Sequence, residues 1–169
     1  KKLLEKISLT ALQRMEIQYF IGTIYHNLGE FEKSIPCFID LLYGIGVKIP
    51  QKRKMLILAI SIEIVIQIAY SFGVKDLLKK KKDPFSLIKA RALFKLSYSL
   101  YFSDMKPAFL AHFKSLNLAD RLENCYEKSE IYASHQVPIY QMLFKRRAFK
   151  YLRKSIDIAK TILRSDNIA

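Results

Sequence analysis

The sequence predicts an all-α fold of about seven helices in a single domain spanning residues 1–169. Three observations support this prediction. Apolar residues recur at helical spacing along most of the chain. Glycine and proline number only five each, which is few for a turn-rich β protein. Hydrophobic residues make up 51% of the 169 residues, and a chain of this length and composition can bury a core.

The first two helices are separated by a short turn. Residues 10–27 carry apolar side chains at helical spacing, and Thr10 with Gln13 matches the pattern of a capping box. Gly29 ends this helix, and a second one is predicted over about 31–42. The stretch GIGVKIP, with two glycines and a proline, then interrupts the helical pattern.

The most apolar stretch of the chain is residues 54–73. A membrane span has to be weighed, since the stretch reaches the minimum of about 18–20 residues. Glu63 and Gln67 lie in its middle, however, and a central carboxylate costs roughly 2.5–3.5 kcal/mol on insertion. We therefore predict no membrane span and a helix buried at the centre of the fold.

Four more helices are predicted in the second half of the chain. Asp83 and Pro84 form a good N-cap and first helical position, and Asp104 stands near the start of the next helix. Pro138 should bend or end the helix that contains it. The four predicted ranges are 84–102, 103–122, 122–143 and 145–164.

Residues 15–48 resemble a tetratricopeptide repeat (TPR), a pair of packed helices. Gly22 and Ser34 are small where the two helices of such a repeat cross closely, and Gly29 permits the tight turn. Gln18 departs from the pattern, because a large aromatic residue is usual there. The matching residues are Ile21, Gly22, Tyr25, Gly29, Phe31, Ser34, Phe38 and Leu41.

Two degenerate copies are predicted at about 84–122 and 123–164. Small residues recur in them as Ala108 with Ser115 and as Ala148 with Ser155, and the two pairs lie 40 residues apart. This spacing is longer than the usual TPR period of about 34. The resemblance implies a TPR-like right-handed α-solenoid of antiparallel helices.

A broader resemblance covers most of the chain. The order GEFEKSIPCFIDLLYGIGVKIP, an apolar helix, DLLKKKKDP, HFKSLNLADRLENCYEKSEIYASH and RRAFKYLRKSIDIAK is similar to the TPR-like region of large multidomain signalling ATPases. In that family the region lies between a STAND-type NTPase domain and a kinase or cyclase output domain. The resemblance implies a regulatory, non-enzymatic segment of a larger cytoplasmic protein.

The TPR resemblance also suggests a partner-binding groove. The first helix of each pair would line its concave side, where mixed aromatic, hydroxyl and amide groups suit a protein or peptide partner. The alternative is ordinary solvent exposure or packing on a neighbouring domain. The candidate groove residues are Glu16, Tyr19, Thr23, His26 and Asn27.

The formal net charge of +14 suits nucleic acid, an anionic membrane or an acidic protein partner, including another domain of the parent protein, and the charge alone does not choose among them. Nucleic-acid binding through a basic surface is the alternative function, although no RNP-like motif occurs. A merely solvated surface is a third interpretation. The candidate basic patch is Lys145, Arg146, Arg147, Lys150, Arg153 and Lys154.

The motifs of common enzyme classes do not occur. The chain has no Walker-type loop, G-x-S-x-G, H-E-x-x-H or C-x-x-C, and we predict no catalytic residue, cofactor or metal. Glu123, Glu127 and Glu130 share a helix face predicted to meet solvent or a basic neighbour. The exposed ends of a solenoid also make self-association a prediction.

Overall fold

The computed structural model describes residues 10–71, 85–141 and 145–166. These ranges hold seven α-helices and no strand, which confirms the all-α prediction. Asp83 and Pro84, the predicted helix start, lie outside the described residues; the described helix begins later, at Ser86, after Phe85, whose side chain makes no capping hydrogen bond. The helices are α1 (Ala11–Asn27), α2 (Phe31–Gly44), α3 (Arg53–Ser71), α4 (Ser86–Tyr101), α5 (Met105–Ala119), α6 (Tyr126–Gln141) and α7 (Lys145–Asp166).

The start of α1 and the turn after it follow local sequence signals. The Thr10 hydroxyl accepts a hydrogen bond from the Gln13 backbone N–H, and the Gln13 side chain accepts one from the Thr10 backbone N–H. Gly29 has a φ of +75°, which a residue with a side chain rarely adopts, so it allows the tight turn between α1 and α2.

Pro36 and Pro138 lie inside helices that continue past them. Helix α2 runs on to Gly44, and α6 runs on from Pro138 to Gln141. Pro36 is exposed, and a missing N–H on an exposed face is tolerated because water can satisfy the freed carbonyl. At the start of α5, Asp104 acts as the predicted cap by accepting a hydrogen bond from the Lys106 backbone N–H.

One part of the hydrophobic core joins α1, α2, α4 and α5. Helix α4 packs against both α1 and α2, as well as against α5. Gly22 is needed in α1 because a Cβ there would approach the Phe38 ring to 2.8 Å. The buried apolar residues of this part are Tyr19, Phe38, Leu41, Leu42, Ile88, Ala92, Leu93, Leu96, Leu100, Ala108 and Ala111.

A second part of the core joins α4 and α5 to α6 and α7. At the α6–α7 crossing, the hydroxyls of Ser129 and Ser155 each donate to the other residue's backbone carbonyl. The small residues Ala148 and Ser155 are buried, as are Ala108 and Ser115 of α5. The buried apolar residues of this part are Ala90, Leu116, Ala119, Ile131, Tyr132, Tyr151 and Ile158.

Helix α3 corrects the prediction of a central buried helix. It packs along α5, and its buried face carries Glu63 and Gln67, whereas many of its apolar side chains are exposed. The reason is that α5 presents polar side chains to it, so the polar face of α3 finds hydrogen-bond partners there. In the described part of the chain, none of the helices combines the length and apolarity needed to cross a bilayer.

Candidate functional site

The most apolar cavity described is a cleft where α4, α5 and α6 meet, which we call the aromatic cleft. Its volume is about 260 Å³. Residues of α4 and α5 form most of its lining, because Phe94, Tyr98 and Tyr101 of α4 and Met105, Phe109 and His112 of α5 recur at intervals of three or four residues on this side. The lining residues are Phe94, Ser97, Tyr98, Tyr101, Phe102, Met105, Ala108, Phe109, His112 and Ser134.

The rim of the aromatic cleft is unusually exposed for large apolar side chains. Tyr98, Tyr101, Met105 and Phe102 are all exposed, and Phe102 reaches 70%. The Phe102 ring stacks on Phe31 of α2 with ring centres 6.0 Å apart, and Tyr98 meets Phe102 edge to face. The apolar surface therefore continues from the cleft to the junction of α1 and α2.

His112, which lines the aromatic cleft, is paired with His135 of α6. His112 Nε2 and His135 Nδ1 are 2.7 Å apart, and both side chains are buried. Burial lowers the pKa of His112 to about 4. Burial, with His112 and Arg147 nearby, lowers the pKa of His135 even further. The pair is therefore neutral near pH 7, with one nitrogen donating and the other accepting.

The histidine pair is a feature that the sequence did not predict. The two residues lie 23 positions apart on different helices, so spacing within one helix carries no signal for them. The sequence signal was limited to the presence of His112 on a helix whose neighbouring positions are apolar.

A second polar group lies between α3 and α5, and we call it the α3 polar interface. Lys114 donates to a Glu63 carboxylate oxygen over 2.7 Å, and the Asn117 amide donates to the other oxygen over 2.6 Å. Arg121 donates from Nε to the Tyr70 hydroxyl over 2.6 Å. The contacts advance along both helices in the same direction, so α3 and α5 run parallel.

Gln67 connects the α3 polar interface to α6 and α7. Its amide nitrogen donates to Asp120 over 2.9 Å and also to the Asn117 side chain, and its oxygen accepts from Tyr151 over 2.7 Å. Arg147 donates to the same oxygen over 3.0 Å. These polar groups satisfy one another in the interior, and none of them lines the aromatic cleft.

Tyr132, which donates to Asp120, and Tyr151, which donates to Gln67, are both neutral phenols at pH 7. Burial, together with the Asp120 carboxylate that accepts a hydrogen bond from Tyr132, raises the pKa of Tyr132 above its usual value. Burial and Asp120 raise the pKa of Tyr151 in the same way. Both hydroxyls therefore act as hydrogen-bond donors that hold the helices together.

Four of the five predicted groove residues are at least partly buried near α4. Tyr19 is only 5% exposed, with the Arg91 guanidinium 4.4 Å from its ring centre, and Glu16 lies 3.8 Å from the same arginine. His26 Nδ1 lies 2.8 Å from the Ser99 hydroxyl. These three groove residues thus contribute mainly to packing.

The remaining two groove residues differ from each other. Thr23 is half-buried, and its hydroxyl oxygen is enclosed with no hydrogen-bond partner among the described residues. Asn27 at the end of α1 is exposed. The structure therefore leaves Asn27 as the member of the set that is open to solvent.

The predicted basic patch is divided between the surface and the interior. Lys145, Arg146, Lys150 and Arg153 are exposed on α7. Arg147 and Lys154 point inward instead, Arg147 to Gln67 and Lys154 to the face of the Tyr151 ring at 4.9 Å.

In the predicted acidic face, Glu127 and Glu130 meet basic neighbours, whereas Glu123 precedes α6 and does not share its helix face. Glu127 lies 3.6 Å from Arg91, and Glu130 lies 3.9 Å from Lys95, so α6 carboxylates face α4 cations. Such partly exposed pairs contribute about 0–1 kcal/mol each. Their role is mainly to align α6 with α4.

No group of three or more potential metal ligands occurs among the residues that the structure describes. Cys37 and Cys125 are free, half-buried thiols. In comparisons with known proteins, no family model matches the chain, and no curated protein or solved structure is similar to it at a significant level. What can be stated of its class is that it is an all-α protein.

Proposed function

We propose that this chain is a non-catalytic helical-repeat module for protein–protein or interdomain interaction, and that the aromatic cleft is its main binding site. The observation that carries the proposal is the exposed aromatic rim formed by Tyr98, Tyr101 and Phe102. Large aromatic side chains left open around a cavity are typical of surfaces that bind another protein.

The chemistry of the cleft favours a peptide segment with a bulky apolar anchor. Its polar groups are few, mainly Ser97, Ser134 and the neutral His112, so a charged small molecule would find no counter-charge inside. Its volume of about 260 Å³ suits one or two large side chains. The net charge of +14 further favours acidic residues beside that anchor.

The arrangement of helices supports the wider proposal of a TPR-like right-handed solenoid. Helices α1 and α2, α4 and α5, and α6 and α7 pack as sequential pairs, and small residues are buried in all three pairs. In this proposal α3 is an additional helix on the outside of the second pair. The resemblance to signalling ATPases makes contact-driven regulation of a cytoplasmic NTPase the physiological role that we propose.

A peptide-display selection tests the cleft directly. A library of random peptides would be selected on the chain, and synthetic copies of the enriched peptides would be measured by fluorescence anisotropy. We expect peptides that combine an aromatic or long aliphatic residue with acidic residues. Phe102→Ala and Tyr98→Ala should each weaken binding by about tenfold or more, because exposed aromatic anchors dominate such contacts.

Phe20→Ala is the matched control, since Phe20 is an exposed aromatic residue of α1 outside the cleft. Its effect on binding should be less than about twofold. If the cleft variants and this control weaken the selected peptides equally, or if no peptide is enriched, the proposed site is wrong.

Nucleic-acid binding is the second candidate function, and the four exposed cations of α7 favour it. The salt dependence of binding to random DNA and RNA tests it. Sub-micromolar binding that weakens steeply with salt, and that Lys150→Glu with Arg153→Glu abolishes, would support this alternative and count against the protein-binding proposal.

A further inference from the structure

The outer side of α3 carries an apolar ridge formed by Met55, Leu58, Ile62 and Val65, which we call the α3 ridge. These side chains are between 51% and 63% exposed. Their spacing of three, four and three residues is the spacing of core positions in a coiled coil. In coiled coils, apolar side chains at this spacing form the seam against which a second helix packs.

We propose that the α3 ridge is the interface of a homodimer, in which two copies of this chain pack their α3 helices antiparallel about a two-fold axis. The spacing of the ridge is the same when read from either end. In an antiparallel pair centred at position 60, Leu58 therefore meets Ile62 of the other copy, and Met55 meets Val65. A surface that is complementary to itself is what a two-fold interface requires.

Charge favours a second copy over an acidic partner at this surface. The chain carries a net charge of +14, so two copies repel each other over most of their surface. Along the described length of α3 the only charged residues are Arg53 and Lys54 at its start and Glu63, which faces α5. The ridge is therefore uncharged, which allows a like-charged copy to approach and offers nothing to an acidic partner.

The charge at the start of α3 also favours an antiparallel orientation of the two helices. A parallel pair would bring the Lys52, Arg53 and Lys54 clusters of both copies together at one end. In an antiparallel pair these clusters lie at opposite ends of a helix about 28 Å long, beyond the usual screening length.

The α3 polar interface explains why the apolar ridge faces outward. Turning α3 about its axis to bury Leu58 and Ile62 would separate Glu63 from Lys114 and Asn117. The buried Asn117 amide would then lose Glu63, to which it donates, and buried polar groups without partners are rare in folded proteins. The ridge is thus held outward by hydrogen bonds on the opposite face of the same helix.

The size of the ridge predicts a weak, reversible dimer. With Ile57 and Ile68, which flank it and are also exposed, the ridge offers six apolar side chains. At about 90 Å² each, they would bury about 1,000 Å² over both copies, which is at the low end for specific interfaces. We therefore expect a dissociation constant of about 10 µM.

Sedimentation equilibrium of the chain from about 1 to about 200 µM tests the dimer. We expect a reversible monomer–dimer equilibrium, and we expect both Ile62→Glu and Leu58→Lys to be monomeric. Because both residues are about half exposed, these variants should keep the circular dichroism of the parent chain. Ile24→Glu is the matched control on α1, and it should dimerise like the parent chain.

Mixing the Leu58→Lys and Ile62→Glu variants tests the orientation. An antiparallel pair places the introduced ammonium group of the first variant against the introduced carboxylate of the second, so the mixture should recover a heterodimer. A mixture of Leu58→Glu and Ile62→Glu should remain monomeric, because the two introduced groups would then repel each other.

Three outcomes would each overturn the dimer proposal. The first is that the parent chain remains monomeric up to about 200 µM. The second is that the Ile62→Glu variant still dimerises. The third is that a mixture of the Leu58→Lys and Ile62→Glu variants forms no heterodimer. Failure here leaves the aromatic cleft untouched, since none of the ridge residues lines it.

Discussion

Helix α5 meets two of its neighbours in opposite ways. Toward α4 the contact is apolar, with Leu93 and Leu96 of α4 packed in the same core as Ala108 and Ala111 of α5. Toward α3 the contact is polar and consists largely of directed hydrogen bonds from Lys114, Asn117 and Arg121. Helix α5 thus contributes to the hydrophobic core on one side and supplies hydrogen-bonding side chains to α3 on the other.

This difference shows how an apolar helix can be held with its apolar face outward. Apolar packing is non-directional, so it does not by itself select one rotation of a helix about its axis. Hydrogen bonds need particular partners at particular distances, and they fix α3 in one rotation about its axis. The apolar residues of α3 that do not fit this rotation remain on the surface and are available for association.

The largest effect on stability is expected at the apolar contact of α5 with α4. Leu96→Ala removes a fully buried side chain from the α4–α5 core, and the resulting cavity should lower the free energy of unfolding by about 2–5 kcal/mol. Urea denaturation measures it. Leu28→Ala, at an exposed position after α1, is the control and should change stability by less than about 0.5 kcal/mol.

A second effect concerns the contact of α5 with α6, where His112 and His135 are buried neutral. The pKa of His112 in the folded state is about 4, below its unfolded value of 6.5, so the unfolded chain binds the proton first as pH falls. Stability should therefore be lost from about pH 6.5 downward, by about 3 kcal/mol at pH 4 from His112 alone.

Urea denaturation at several pH values checks the histidine prediction. Other groups also titrate in this range, so the control is His112→Gln. Its side-chain amide can still hydrogen-bond to His135 in place of the imidazole, but it does not titrate. The stability difference between the parent chain and this variant should shrink as pH falls from about 6.5 to about 4. A difference that is independent of pH would contradict a buried neutral His112.

The polar side of α5 should respond less strongly, and more locally. Glu63→Ala removes the carboxylate that accepts from the buried Asn117 amide, which then keeps only the backbone carbonyl of residue 63 as its acceptor. This loss should cost about 1–3 kcal/mol, whereas the partly exposed Lys114 can bind water. Amide hydrogen exchange should accelerate in α3 more than in α4. If amide exchange accelerates equally in α3 and α4, α3 is as much a part of the core as α4, and the contrast between the two contacts of α5 is wrong. Glu32→Ala, at an exposed position of α2, is the control.

The smallest effect is expected for Tyr70→Phe at the far end of the α3 polar interface. The variant removes the hydroxyl that accepts from Arg121, and a hydrogen bond to a charged donor of this kind contributes about 1–2 kcal/mol at most. Arg121 is exposed and can bind water, so the lower value is expected. Differential scanning calorimetry should show a decrease in Tm of a few degrees at most.

Much of the local structure could be predicted because its causes are local. The Thr10 capping box, the Asp104 cap and the left-handed Gly29 turn each depend on residues that are close in sequence. The close approach at Gly22 was also anticipated from the TPR resemblance, and the structure shows the Phe38 ring against it. Pairing of Glu127 and Glu130 with basic neighbours is one of the two outcomes that their shared helix face predicted, the other being exposure to solvent.

The site could not be predicted in the same way, because its members come from separate helices. The aromatic cleft needs α4, α5 and α6 in contact, and the histidine pair joins two of them. The outward side of α3 was misjudged for a related reason. Its composition indicates burial, but Glu63 and Gln67 are satisfied only by side chains that are distant in sequence.

The sequence by itself therefore determined the approximate ranges of the helices, the caps at Thr10 and Asp104 and the turn at Gly29, because spacing, capping and glycine conformation act over a few residues. Only the tertiary structure decided which faces are buried. A helix with both an apolar and a polar face turns toward whichever neighbour satisfies it, and for α3 that neighbour is the polar side of α5. Hydrogen-bond partners that are distant in sequence thus placed an apolar ridge on the surface, and the packing of α4, α5 and α6 formed the aromatic cleft.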